Sequence, residues 1–216
     1  MFLHQGIWLP DGEKHFPLWM DKNGELLDGR GTYQIKKLRE AMGWVTHWRT
    51  AVDVGGHVGL WSMHLAKKFQ SLHAFEPVPA FRQCFEKNVN ARNVIMYSCA
   101  LGSVNGKVRM KIDPSDSGGT HVDATSESGD TVLRRMDDYD LHDVDFMKLD
   151  CEGFEHHVIE GARDTIKRCK PCIIVEQKPH KLGINFGING RPAVELLQSW
   201  GYRLRKEMGG DFILTG

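Results

Sequence analysis

Ala51-Val-Asp-Val-Gly-Gly-His-Val-Gly59 runs on into Leu60-Trp-Ser-Met-His-Leu-Ala-Lys-Lys68. Ala51 to Val54 predicts a short buried strand. Gly55, Gly56 and Gly59 predict a tight turn, and Val58, Trp61, Leu65 and Lys68 recur at helical spacing. Strand, glycine turn and helix are how a doubly wound α/β domain presents a nucleotide site at the end of its first strand. Turn glycines allow close backbone approach, and the helix start offers N–H groups.

The kind of nucleotide follows from two acids. A dinucleotide fingerprint wants glycine at positions one, three and six, but with Gly56 and Gly59 at three and six, Val54 stands at one. Asp53 sits at the strand end, where a carboxylate repels a pyrophosphate. It suits a ligand carrying an ammonium and a sulfonium, namely S-adenosylmethionine. Leu72-His-Ala-Phe-Glu76-Pro77 is a second apolar run ending in an acid, 23 residues after Asp53. An acid there can accept both ribose hydroxyls.

The 216 residues fit one domain, with residues 1–45 an irregular arm or cap and 46–216 the core. With 41% hydrophobic and 26% charged residues, the chain is not expected to be disordered. Net charge is +0, which removes any whole-protein attraction to nucleic acid or an anionic membrane. No basic leader and no long apolar run is read, so a soluble cytoplasmic protein is expected. Cys84, Cys99, Cys151, Cys169 and Cys172 are odd in number and expected as free thiols. Cys169-Lys-Pro-Cys172 lies between a helix end and a strand, the wrong place for a redox pair.

Further along, Ile7–Leu9 and Phe16–Trp19 read as short strands, and a helix runs through Leu38 and Met42 to Gly43. Trp8, Trp19, Tyr33, Trp44 and Trp48 either pack the arm or line an acceptor pocket. A helix to about Asn90, a strand over 94–101 and an alternating strand over 107–113 follow. Residues 114–130 are polar and suggest a mobile loop. Strands over 143–150 and 171–176 flank a helix from Gly153. Residues 177–190 read as a loop, and after a helix from Pro192 a hairpin over 202–215 closes the chain.

Ala51–Gly59, Ala74-Phe-Glu-Pro77, Phe146-Met-Lys-Leu-Asp-Cys-Glu-Gly-Phe-Glu155, Val158-Ile-Glu-Gly-Ala162 and Pro171–Glu176 together resemble the FkbM-type methyltransferases over roughly residues 50–178. The resemblance implies a class I methyltransferase (Rossmann-like) fold, α/β with a doubly wound, mostly parallel sheet, and S-adenosylmethionine as donor. It also implies O-methylation, with a small molecule or saccharide as acceptor. His57 stands where the family more often has alanine or asparagine.

Methyl transfer is an in-line displacement that needs its three centres held in line and water stripped away. The expected donor site is Asp53, Gly55, Gly56, His57, Gly59, Glu76, Pro77, Ser98, Cys99, Ala100, Leu101 and Asp150. A hydroxyl acceptor benefits from a base or a metal. Asp150, Glu152, Glu176 and His180 are the reaction-side candidates. The first three could hold a magnesium ion if their carboxylates converge. Asp150 and Glu152 could equally serve the helix that follows them, and Glu155 is expected in solvent. The competing readings are a nucleic-acid 2′-O-methyltransferase, a nicotinamide-dependent oxidoreductase, and a cofactor-binding protein without turnover.

Overall fold

The computed structural model describes residues 1–216 apart from Glu127 and the side chains of residues 179–181. Seven strands pair into its main sheet: β1 (Thr50–Val54), β2 (Ser71–Phe75), β3 (Val94–Tyr97), β4 (Val144–Leu149), β5 (Cys172–Glu176), β6 (Arg203–Met208) and β7 (Asp211–Thr215). Their order across the sheet is β3-β2-β1-β4-β5-β7-β6. Strands β3 to β5 pair in parallel, and β7 runs antiparallel to both β5 and β6. The expected parallel sheet with a terminal hairpin is therefore present. The order reverses between β1 and β4, which is where such sheets open a crevice for ligands.

Among the described residues, eight α-helices accompany the sheet: α1 (His15–Asn23), α2 (Ile35–Met42), α3 (Ser62–Leu65), α4 (Pro79–Asn88), α5 (Glu155–Gly161), α6 (Arg163–Cys169), α7 (Pro179–Phe186) and α8 (Pro192–Ser199). Strand side chains alternate between faces. Val52, Val54, Met147 and Leu149 pack on one face with Val158, Ile159, Ile166 and Leu197 of α5, α6 and α8. Ala51, Phe146 and Ile174 pack on the other with Ile35, Leu38 and Leu65 of α2 and α3. A third cluster joins the arm to the body, with Ile7, Leu9, Phe16 and Met20 against Val58, Leu60, Met63 and Phe85.

Several expectations need correction. Phe16–Trp19 is not a strand but the start of α1. Phe16 and Met20, four apart, are its buried residues, and Pro17 falls in the first turn, where a missing N–H costs nothing. Residues 177–190 contain α7, which buries Leu182 and stops at Gly187 with φ 66°. Its internal glycine disguised it as a loop. The expected strand over 94–101 breaks after Tyr97, and Ala100–Leu101 pairs instead with Thr131–Arg134 in a small three-stranded sheet. The first half of the expected mobile loop is fastened to the arm: Lys14 and His15 donate to the Ser115 carbonyl, and Ser117 is buried.

At the far edge of the sheet, β6 exposes Arg203 through Glu207 and shifts register between Leu204 and Lys206. No helix among the described residues is long and apolar enough to cross a membrane.

Candidate active site

Strand pairing places Lys148 of β4 directly beside Asp53 of β1. Both side chains fall on the α2/α3 face, because they share the parity of Phe146 and Ala51. Asp53 is 1% exposed and Lys148 6%. Ser62 Oγ donates to Asp53 Oδ2 at 2.6 Å. Asp53 Oδ1 is buried with no hydrogen-bond partner, and Lys148 Nζ lies 3.5 Å away. The same ammonium sits 3.3 Å from Asp150 Oδ2 and 3.4 Å from the Gly55 carbonyl. Burial by itself would lower the Lys148 pKa, but the carboxylates of Asp150 and Asp53 outweigh it and push the value up. Lys148 therefore stays charged and cannot serve as a base.

The turn after β1 needs glycine at its first position. Gly55 has φ +75°, and a Cβ there would lie 2.0 Å from the Asp150 carbonyl oxygen. Gly55 and Gly56 both donate to the Phe75 carbonyl at the end of β2. His57 follows with φ 49°, and its N–H donates to Glu76 Oε2 at 2.9 Å. Val78 N–H donates to Glu76 Oε1 at 2.8 Å. Burial raises the Glu76 carboxyl to about 7 despite those two bonds. Gly59 belongs elsewhere: its Cβ position is blocked by Val89 and Phe85, so it serves packing and does not line the site.

Asp150, Glu152 and Glu176 do converge. Each offers one carboxylate oxygen, and the three lie within 4.8 Å of one another. Lys178 Nζ bonds Glu176 Oε1. Asp150 caps no helix: α5 begins only at Glu155. Glu155 corrects another expectation. It is fully buried, accepts the N–H groups of Cys151 and Gly153, and is raised by burial to about 8. It thus ties the turn that presents Asp150 and Glu152. The side chain of His180 lies outside the described residues.

These groups line one cavity of about 1070 Å³. Its walls include Asp53, Gly55, Gly56, His57, Glu76, Pro77, Cys99, Ala100 and Leu101, and also Asp150, Glu152 and Glu176. Ser98 is exposed and absent from the walls, because the chain turns outward between β3 and Ala100. The early aromatics divide. Trp19 and Tyr33, with centroids 4.5 Å apart, line the cavity. Trp48 packs on Phe69, while Trp8 and Trp44 lie under Lys87 and Arg205.

Residues 53–204 match the model of the methyltransferase FkbM domain. This chain belongs to the FkbM methyltransferase family. Its fold is that of the class I methyltransferases. Methyltransferase 1 of Beauveria bassiana is similar to it, 24% identical over 144 residues that span 52% of this chain and 58% of that protein. The methyltransferase FkbM of Methylobacillus flagellatus superposes with a TM-score of 0.54 at 19% identity, over 80% of this chain and 45% of the other. This FkbM-family chain thus spans less than two thirds of both relatives' lengths.

Three functional groups of the FkbM-family chain escaped the sequence reading. Lys148 lies in the family-like run Phe146–Glu155 but was given no role in the site. Lys37 of α2 pairs with Asp211, the register partner of Glu176, and so ties the helix to the acid-lined end. Glu13 and Ser117, buried and 104 residues apart, bond to each other beside His57. No local signal could have joined them.

Proposed function

We propose that this chain transfers a methyl group from S-adenosylmethionine to a hydroxyl of a small molecule or saccharide. The observation that carries the reading is the cavity itself, lined by acids and glycines at the ends of β1 and β2 and by three converging carboxylates at the ends of β4 and β5. The donor fits this lining. Asp53 Oδ1 is buried and makes no hydrogen bond, with the Lys148 ammonium 3.5 Å away, so it keeps acceptor capacity for a ligand's donor group, and Glu76 presents a carboxyl at a strand end as ribose recognition requires. When bound, the donor supplies a methyl group on a positively charged sulfur.

The chain's residues supply the rest. Asp53 and Glu76 hold the two ends of the donor site, and Lys148 offsets the charge of Asp53 and of the half-buried Asp150, which lets Asp53 stay buried. The carboxylates of Asp150, Glu152 and Glu176 take the acceptor's hydroxyl proton. Trp19 and Tyr33 offer a ring-shaped acceptor a flat face. Single-ligand pockets run to about 1,000 Å³, so one cavity admits donor and acceptor together. The carboxylate trio is also where a magnesium ion would be held. Lys148 and Lys178 already place ammonium groups against two of the three acids and so offset part of the charge that the ion would neutralise. The five free thiols accord with a cytoplasmic setting.

Calorimetric titration with S-adenosylhomocysteine tests the donor half. The wild type releases heat on binding, and Asp53→Asn weakens the affinity by roughly 10- to 100-fold. No heat with the wild type would end this reading. Radiolabelled transfer to a panel of hydroxylated acceptors tests the other half. Asp150→Asn lowers kcat by about 10²–10⁴ with donor affinity little changed, and EDTA leaves the wild-type rate intact. A rate abolished by EDTA and restored by magnesium would assign the trio to a metal.

A further inference from the structure

The His57 ring packs against the arm. It lies between Phe16 of α1, stacked at 5.1 Å, and Phe81 of α4, edge-on at 4.5 Å. Its Nε2 is 2.9 Å from Ser117 Oγ. Ser117 Oγ donates to Glu13 Oε2, so its only hydrogen is taken and the ring must be the donor to Ser117. Ser117 N–H also donates to Glu13 Oε2, at 2.7 Å, and Phe16 N–H donates to Glu13 Oε1 at 2.9 Å. One buried carboxyl thus fastens α1, the segment around Ser117 and, through the serine, the imidazole. Burial pulls the His57 pKa down to about 3, so the ring is neutral and a poor base.

This arrangement acts on the donor wall through the His57 backbone. The N–H that reaches Glu76 belongs to a non-glycine residue at φ 49°, a conformation that L side chains adopt rarely. Around this one stands the ring clamp, whose polar anchors lie far away in sequence. We propose that Glu13 and Ser117 are positioning residues for the methyl donor. Through the His57 ring they fix the left-handed turn and so keep the Glu76 carboxyl aimed at the donor's ribose. The arm is then part of the donor site although it lies outside the family match, which begins at residue 53. The inference rests on the donor reading given above.

Titration of the full chain with two ligands tests it: S-adenosylhomocysteine and its 2′,3′-dideoxy analogue, which lacks the hydroxyls that Glu76 accepts. The wild type prefers the ribose form. In Ser117→Ala and in Glu13→Gln the affinity for S-adenosylhomocysteine falls about tenfold, while that for the dideoxy analogue stays at its wild-type value, so the preference shrinks. His57→Asn, which tolerates the left-handed turn but has no ring to clamp, behaves likewise. Loss of affinity for both ligands in equal measure would mean that Glu13 and Ser117 only support the fold, and unchanged affinities would mean that the turn holds itself. Either result overturns the proposal while leaving the donor reading standing. If the wild type binds neither ligand, the donor reading fails and takes this one with it.

Discussion

Lys148→Met should lower stability by about 3–5 kcal/mol, because it leaves the carboxylates of Asp53 and Asp150 facing each other without their shared cation. For a chain of this size that is a fall in Tm of roughly 6–20 °C. The deficit should depend on pH with a definite sign. Burial already raises the Asp53 pKa, and Lys148 is the largest influence holding it down. With the ammonium gone, the folded-state value rises further above the unfolded one. A raised acid contributes stability that is complete below its unfolded pKa, about 3.9, and is lost as pH rises through the folded value. Urea melts of the wild type and the variant should therefore differ less at pH 5 than at pH 8. An equal gap at both would show that the ammonium stabilises through packing alone. Lys148→Arg keeps the charge and should recover part of the loss.

Glu76→Gln should weaken S-adenosylhomocysteine binding by roughly 10- to 100-fold at pH 8, since hydrogen bonds to a charged acceptor are the stronger kind. In the wild type the Glu76 carboxyl titrates near 7. Only its ionised form accepts two hydroxyls, so affinity should improve about tenfold between pH 6 and pH 8. Stability without ligand should move the other way. The folded value lies above the ordinary 4.5, so this contribution is fully present below 4.5 and fades as pH climbs through about 7. Titration calorimetry and melting curves across that range would show opposite slopes, and Glu76→Gln would flatten both. Parallel slopes would place the titration on another group.

How much of this was legible beforehand depended on how local the determining physics is. Asp53 and Glu76 could be found because each ends an apolar run, and a strand end is a position that sequence fixes well. The parallel sheet was expected from the resemblance to the family, and the closing hairpin from the runs on either side of Gly209-Gly210. The meeting of Asp150, Glu152 and Glu176 could be suspected but not shown, since it depends on β4 lying beside β5 in one register. Lys148 was passed over for the same reason: its partner is one strand away in space and 95 residues away in the chain. Phe16-Pro-Leu-Trp19 read as a strand because four residues cannot show a helical period, and Met20, one step further, supplies it. The link from Glu13 through Ser117 to His57 joins three segments that share no pattern at all.

The outermost strand of the main sheet has a consequence for how the molecule meets its neighbours. Arg203, Arg205, Lys206 and Glu207 stand along β6, whose backbone is kinked between Leu204 and Lys206. Any stray polypeptide seeking to extend the ladder there would have to desolvate four ionised groups and follow a bent template, and both discourage stacking into fibrils. The border is thus guarded by charge and curvature rather than by a covering element.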